Sequence, residues 1–393
     1  MSNKKAKKIC GIIAEYNPFH NGHKYLLDHA RNELGADYIV VVMSGDHVQR
    51  GEPALIDKFA RTNVALTEGA DLVLELPVIF STASAQYFAR GAVSALIHTG
   101  CVNTLLFGSE SGDINSLRTA DFNSDNMTSP TGRHADTPSY ALPNDILGRE
   151  YLAALRFFKN ENIAPYTLKR IGAGYNDIET KDGFASATHL RKILLGSPLE
   201  QAPLHEYMPG SQLGILEDYI SENRLMSTEA YSDILQYLIF KRISDEIPFN
   251  DIFDIYDDLS DKIIKNAHSF NTFKGFIQTL KSKELAWSHI SRALLHIVLD
   301  IKKSDVNMIT SDFNYCPYLR PLGFKKEASE LLTLIKQYSD VPFISKLADS
   351  KDLLTEAAGY FLKKDIFASE LYRKKSHICP GFTSEYRMPI IIK

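Results

Sequence analysis

A doubly wound parallel α/β sheet followed by a mainly helical second half is the fold this chain predicts. Three observations carry the expectation. Apolar, β-branched runs alternate with helical patterns through the first half. The unusual polar loops sit where those runs end, as they do around the ligand crevice of an open parallel sheet. The alternation stops near Gly196-Ser197-Pro198, after which helical periodicity dominates. That break divides the chain into an expected α/β domain at 1–197 and a mainly helical domain at 198–393, each long enough for its own core.

The elements follow in order. Ile9–Ala14 is a short apolar run closed by Glu15, which suits a core strand. Further strands are expected at Tyr38–Met43, Leu72–Leu76, Thr104–Phe107 and Tyr166–Leu168. Helical patterns at Gly22–Leu34, Asp57–Thr67, Ala85–His98 and Asp145–Lys159 lie between them, with Asp57 in the position of an N-cap. Residues 112–144 are rich in Ser, Thr, Asp, Asn, Gly and Pro and lack periodicity, as a functional or mobile loop would. Beyond Pro198, helices are expected at Ser227–Ile243, Leu285–Ile301, Glu327–Tyr338 and Lys351–Phe361.

The first strand runs into His20-Asn21-Gly22-His23 at the start of a helix. A helix N-terminus offers free N–H groups and a positive dipole end to an anion. Gly22 lets the backbone approach a phosphate closely. Two imidazoles three residues apart share one face of the first turn, from which they can donate to phosphate oxygens as charge builds. The chemistry implied is nucleotidyl transfer: a nucleophile attacks the α-phosphate of ATP and pyrophosphate leaves. Two plainer readings compete, a metal pair and a cap beside a packed histidine. The metal pair lacks a Cys/His cluster of zinc spacing to complete it.

Other strand ends carry matching chemistry. Ser44 to Ala54 is a glycine-framed loop with Gln49 and Arg50, and a guanidinium there can clamp a carboxylate or phosphate through two parallel hydrogen bonds. Glu75 stands inside an apolar run, which requires either a crevice or a cationic partner. Gly108 to Asp113 suits adenine or ribose contacts, with weaker support for magnesium on Glu110 or Asp113. Asn144 has the position of an N-cap. Ser186, Thr188 and Arg191 open a further helix as a cradle for β- and γ-phosphates, and Lys169-Arg170 adds cations nearby.

Composition narrows the classes. The chain is 44% hydrophobic and 23% charged, with four cysteines that form no C-x-x-C pair. These read as reduced thiols in a cytoplasmic protein. The basic N-terminus precedes too short an apolar run for a signal peptide, and no run approaches membrane-spanning length. A net charge of −4 argues against wholesale coating of nucleic acid. A basic surplus after Tyr315, with the cluster Arg373-Lys374-Lys375, nevertheless suits a macromolecular acceptor or a solvated helix face.

Together these blocks resemble the bacterial tRNA(Met) cytidine acetate ligase family, a branch of the HxGH nucleotidyltransferases. The resemblance rests on Glu15-Tyr16-Asn17-Pro18-Phe19-His20-Asn21-Gly22-His23, on Gln49-Arg50-Gly51-Glu52-Pro53-Ala54, on Glu75-Leu76-Pro77, on Phe107-Gly108-Ser109-Glu110, on Pro143-Asn144 and on Ser186 to Arg191. Tyr318 to Phe324 and Asp365 to Tyr372 extend it into the second half. It departs from the family at Asn176, where a histidine is expected, and in the short 112–144 loop. The resemblance implies activation of acetate by ATP and transfer of the acetyl group to N4 of the wobble cytidine of elongator tRNA(Met). It places ATP on Ile13, Ala14, Glu15, Tyr16, Asn17, Pro18, Phe19, His20, Asn21, Gly22, His23, Lys24, Tyr25 and Leu26, with Gly108, Asn144 and Arg170. His20, His23 and Arg50 are the expected catalytic groups. Ser44, Gln49, Arg50 and Glu75 are expected on the acetate side, and Arg373, Lys374 and Lys375 on tRNA. Mg²⁺ is the expected companion of ATP. Residues alone leave the nucleophile open between a carboxylate and a phosphate. A small-molecule adenylyltransferase and an RNA-binding protein with a relic pocket remain as rivals.

Overall fold

The computed structural model describes residues 7–119, 142–170, 183–196, 203–376 and 384–393. Its strands are β1 (Ile9–Ala14), β2 (Tyr38–Ser44), β3 (His47–Val48), β4 (Glu52–Pro53), β5 (Leu72–Leu76), β6 (Thr104–Ser109), β7 (Ala164–Lys169), β8 (Pro321–Phe324) and β9 (Ile391–Ile392). Seven form one sheet in the order β7-β6-β1-β2-β5-β8-β9, while β3 and β4 make a small hairpin. The pairs β1–β2, β1–β6, β2–β5 and β6–β7 are parallel. From β1 the chain winds first towards β2 and β5, then crosses to β6 and β7. The switch point therefore lies between β1 and β6, where a crevice opens at the strand carboxyl ends. His20 follows one of those strands and Gly108 lies next to the end of the other.

Side chains alternate across the sheet with period two. Ile9, Ile13, Val40, Val42, Leu72, Leu74, Leu105 and Phe107 face one core. Cys10, Ile12, Ile39, Val41, Met43, Val73 and Leu106 face the other. Helices that shape the site are α1 (Asn21–Asn32), α2 (Lys58–Thr67), α3 (Ala85–His98), α4 (Pro143–Phe157), α5 (Ala187–Leu195), α6 (Trp287–Leu299) and α7 (Glu356–Lys375). Asp57 caps α2 as expected, its carboxylate accepting from the Phe59 and Ala60 amides at 2.7 and 3.0 Å.

The expected doubly wound sheet and helical second half are present, with one helix corrected and one antiparallel pairing added. The run expected to be one helix at Lys351–Phe361 is split: Ser350–Leu353 forms a single turn, and Thr355 then caps α7, which continues to Lys375. A threonine cap restarts the helix where periodicity alone reads through. The sheet is also not purely parallel. β8 joins β5 antiparallel and β9 follows β8, so strands from both sides of 197/198 share one sheet. The first core likewise runs from Ile9 through Leu235 and Leu294 to Phe361. A four-residue strand led by proline has too little pattern to stand out among helices. No helix among the described residues is long and apolar enough to cross a membrane.

Candidate active site at the switch point

Beyond Ala14 the chain turns through Tyr16, whose φ is 51°, and enters α1. Contacts from three other segments clamp this turn. The Leu55 amide donates to Asn17 Oδ1 at 2.7 Å, Arg191 Nη1 donates to the Asn17 carbonyl at 2.8 Å, and the Phe19 amide donates to Gln212 Oε1 at 3.2 Å. His20 is the N-cap of α1. Its Nδ1 accepts from the Gly22 amide at 3.0 Å, and His23 Nδ1 accepts from the His20 amide at 3.2 Å. The rings stack with centroids 3.7 Å apart. A Cβ on Gly22 would meet His20 Cε1 at 2.9 Å, so a side chain there would displace the imidazole.

These hydrogen bonds decide the tautomer. With Nδ1 of each ring accepting, a neutral imidazole carries its proton on Nε2. Burial pushes His20 down to about 3, reinforced by the Arg170 charge. Burial, His20 and Arg170 likewise hold His23 well below the ordinary value. Near neutral pH both rings are uncharged Nε2–H donors, capping and cavity-lining at once.

They line a cavity of about 600 Å³. Ile13 to Asn17, Gly22, Tyr25 and Leu26 join them on its floor, with Gly108, Asn144, Arg170, Ser186, Thr188 and Arg191 around the edge. Ser186 caps α5, taking the His189 amide at 3.1 Å. Gln49 and Arg50 enter from the β3–β4 hairpin. Their loop is held at both ends, since the Gln49 amide donates to Glu15 at 2.8 Å and Ser291 Oγ donates to the Gly51 carbonyl at 2.8 Å. Gly51 has φ +74°, and a Cβ there would lie 2.3 Å from the Arg292 backbone nitrogen. Only glycine lets this hairpin seat on α6.

Several expected site residues lie elsewhere. Pro18 and Phe19 are buried beneath the turn. Asn21 Nδ2 donates to the Gly183 and Glu206 carbonyls at 3.0 and 2.8 Å, and Lys24 pairs with Asp28 along α1. Ser44 is fully buried, its carbonyl accepting from Arg61 at 3.0 Å. Glu75 takes the cationic-partner alternative: it pairs with Lys58 Nζ at 2.6 Å and with Arg320 at 2.7 Å, outside the cavity. Asn144 is not an N-cap, because Leu142 holds that position. Glu110 instead spans the start of α4, accepting from Asn144 Nδ2 at 2.6 Å and the Asp145 amide at 2.8 Å. Asp113 accepts from the Asn115 and Ser116 amides. Arg373 is 6% exposed and Lys375 pairs with Asp233 at 3.0 Å, which leaves Lys374 as the exposed member of that cluster. Asn176 and residues 120–141 of the long loop lie outside the described residues.

The far wall was not anticipated. It comprises Tyr87, Glu150, Phe253, Asp254, Tyr256, His289 and Arg292. Arg292 Nε donates to Asp254 at 3.0 Å, and His289 Nε2 lies 2.7 Å from the Asp254 carbonyl. Burial works to raise the Asp254 carboxyl, but Arg292 and then His296 and His289 hold it below its usual value. The spacing of His289, Arg292 and His296 along one face of α6 was the available signal.

A histidine pair at a helix start, beside the switch point of a parallel sheet, defines a nucleotidyl-transfer class of protein, and comparison with known families agrees. Residues 7–130 and 125–380 match HIGH Nucleotidyl Transferase, and the chain belongs to that family. More narrowly, it belongs to the tRNA(Met) cytidine acetate ligases. It is 36% identical to the tRNA(Met) cytidine acetate ligase of Thermoanaerobacter sp. (strain X514), over 93% of this chain and 94% of the relative. Identity to that of Fervidobacterium nodosum is 37%, over 89% and 86%. Crystal structures of Thermotoga maritima TmcAL, apo and bound with alpha-thio ATP, superpose with TM-scores of 0.85 and 0.84 at 29% identity, covering 98% of this chain and 99% of theirs.

Proposed function

We propose that the chain activates acetate with ATP and passes the acetyl group to N4 of the wobble cytidine of elongator tRNA(Met). An acetate oxygen attacks the α-phosphorus, giving acetyl-adenylate and pyrophosphate. The cytosine amine then attacks the acetyl carbonyl carbon, and AMP leaves. One observation carries this reading above the others: the neutral Nε2–H pair of His20 and His23 opens onto the switch-point cavity of a chain in this family. Neutral, preorganised donors stabilise charge that grows on the phosphate during displacement without repelling Arg170 beforehand.

In this reading ATP lies along Ile13–Asn17 and α1, with its base and ribose towards Gly108 and Asn144. Its outer phosphates reach Ser186, Thr188 and Arg191 at the start of α5. Arg170 and Arg50 supply positive charge, and Arg50, presented beside Gln49, orients the acetate carboxylate. Among the described residues no group of three or more His, Cys, Asp or Glu side chains could hold a metal ion. Mg²⁺ would enter with the triphosphate it accompanies and would supply charge neutralisation there.

Acetate-dependent exchange of labelled pyrophosphate into ATP, without tRNA, tests the first step. Exchange that ignores acetate but follows a phosphorylated cofactor precursor would replace this reading with a small-molecule adenylyltransferase. No exchange with any acid would leave an RNA-binding protein with a relic pocket.

A further inference from the structure

Glu150 projects from α4 into the cavity, on the same helical face as Ile146, Leu147 and Tyr151. It is 8% exposed, and no hydrogen bond or ion pair holds its carboxylate among the described residues. The charge that acts on it is Arg90 of α3, but that guanidinium stacks 4.0 Å over Phe157 and donates to Tyr315 at 3.2 Å. A buried carboxylate without a donor is costly to maintain. A ligand that brings a donor into the cavity would satisfy it.

Its surroundings narrow the ligand. Tyr87, one helical turn before Arg90, lines the same cavity, and its ring meets Phe253 edge-on with centroids 5.5 Å apart. Tyr256 also lines the cavity. Aromatic platforms of this kind stack unpaired bases drawn out of a loop. Arg292 is hydrogen-bonded through Nε to Asp254, and among the described residues no hydrogen bond engages its terminal N–H groups. Cytosine carries an amine donor at N4 beside acceptors at N3 and O2, and a carboxylate is the group that accepts from that amine.

We propose that this wall is the subsite for the target cytosine and that Glu150 accepts its N4 amine, then takes the proton that amine loses. This rests on the acetyl-transfer reading given above. As the N4–C bond to the acetyl carbon forms, the bond from that carbon to the adenylate oxygen breaks. AMP departs with the electron pair, and the N4 proton goes to the Glu150 carboxylate.

The test separates the two half-reactions in Glu150→Gln, using ATP, acetate and a tRNA(Met) transcript. Acetyl transfer should fall by about 10²-fold or more, the usual scale for losing a general base, while acetate-dependent pyrophosphate exchange falls far less. Glu150→Asp, which keeps a carboxylate one methylene short, should recover part of the transfer. Thermal stability of Glu150→Gln should hold or rise, because an unpaired buried charge is removed. Transfer within a few-fold of wild type would overturn the proposal, as would a parallel loss of transfer and exchange. A raised KM for ATP in exchange would instead assign Glu150 to the amine of adenine, and an unfolded variant would assign it to the fold. A wild-type protein without acetate-dependent exchange would remove the underlying reading, a result separate from any behaviour of Glu150.

Discussion

Two groups of buried charge sit close together in this molecule and have opposite characters. Behind the cavity, Lys58, Glu75, Arg320 and Glu385 form a closed ionic knot. Lys58 touches both carboxylates, and Arg320 does the same at 2.7 and 2.5 Å. Asp46 extends the knot, accepting from the Lys58 amide at 2.7 Å and from Ser369 at 2.6 Å. In the cavity, Arg50, Arg170, Glu15 and Glu150 line open space instead. The closed set joins α2, β5, α7 and the last segment of the chain. The open set faces a place where charge can arrive. Burial of charge therefore says little by itself; whether every partner is internal separates a fold device from a site.

The sharpest way to break that comparison is to open the knot. Arg320→Met would leave Glu75 and Glu385 short of a cation and should cost about 3–5 kcal/mol of stability, measured by denaturant unfolding. Below its melting temperature, the variant should retain exchange activity. Loss of activity in a stably folded Arg320→Met would place the knot within the chemistry.

The complementary change is His23→Ala in the cavity. Turnover in exchange should fall by about 10²–10³-fold, the scale for one preorganised donor, while ATP affinity changes much less. Stability should drop only by about 1 kcal/mol, because His23 also accepts the N-cap amide. Near-normal turnover would make the pair a structural cap alone.

How much of this could be read beforehand follows the same division. Strand ends are local, so β1, β5, α3 and the His20–His23 motif were legible from periodicity and short pattern. Glu75 was legible as anomalous but not as to which of two remedies it takes. Its partners are Lys58, 17 residues earlier on another element, and Arg320, 245 residues further along the chain, and no local pattern links them. Arg373 failed for a related reason: a basic triplet on a helix spans more than one face, and only Lys374 points to solvent. The wall of Tyr87, Glu150, Phe253, Asp254, Tyr256, His289 and Arg292 was not legible because it is assembled from four segments far apart in the chain, and no local pattern brings them together.

Histidines on the two sides can also be compared through pH. His47 is sealed between Tyr231 and Tyr372, with Nε2 2.8 Å from the Tyr231 hydroxyl, and burial pushes it down to about 3. A histidine whose folded pKa is depressed binds its proton more readily when unfolded. Its stabilising effect is therefore complete above about 6.5 and is lost as pH falls towards 3. His47 alone should remove about 2 kcal/mol by pH 5, seen as a falling denaturant midpoint. His20 follows the same direction. A saturating ATP analogue should slow the loss at His20, which it would touch, and leave the His47 contribution in place. Stability flat from pH 7 to 5 would show that these rings are not buried neutral.

A smaller effect is expected at the hairpin. Arg50→Lys keeps the charge but loses the two-pronged geometry, and should raise the KM for acetate by about tenfold. An unchanged KM would move acetate away from the hairpin.

The smallest expected effect lies outside the cavity lining, on α7. With Arg373 buried and Lys375 held by Asp233, Lys374 alone is free to meet a phosphate, so a triple substitution would confuse packing with binding. Lys374→Gln is the cleaner change. If Lys374 contacts tRNA, affinity should weaken slightly and the salt dependence of binding should become shallower by roughly 0.7 on the single-strand scale, with a somewhat larger figure for a duplex stem. Acetate-dependent exchange should not respond, since it needs no tRNA. An unchanged affinity and salt slope would make this end of α7 a solvated helix face. The acceptor would then be held by cations nearer the cavity, where Arg292 already faces the space assigned to its base.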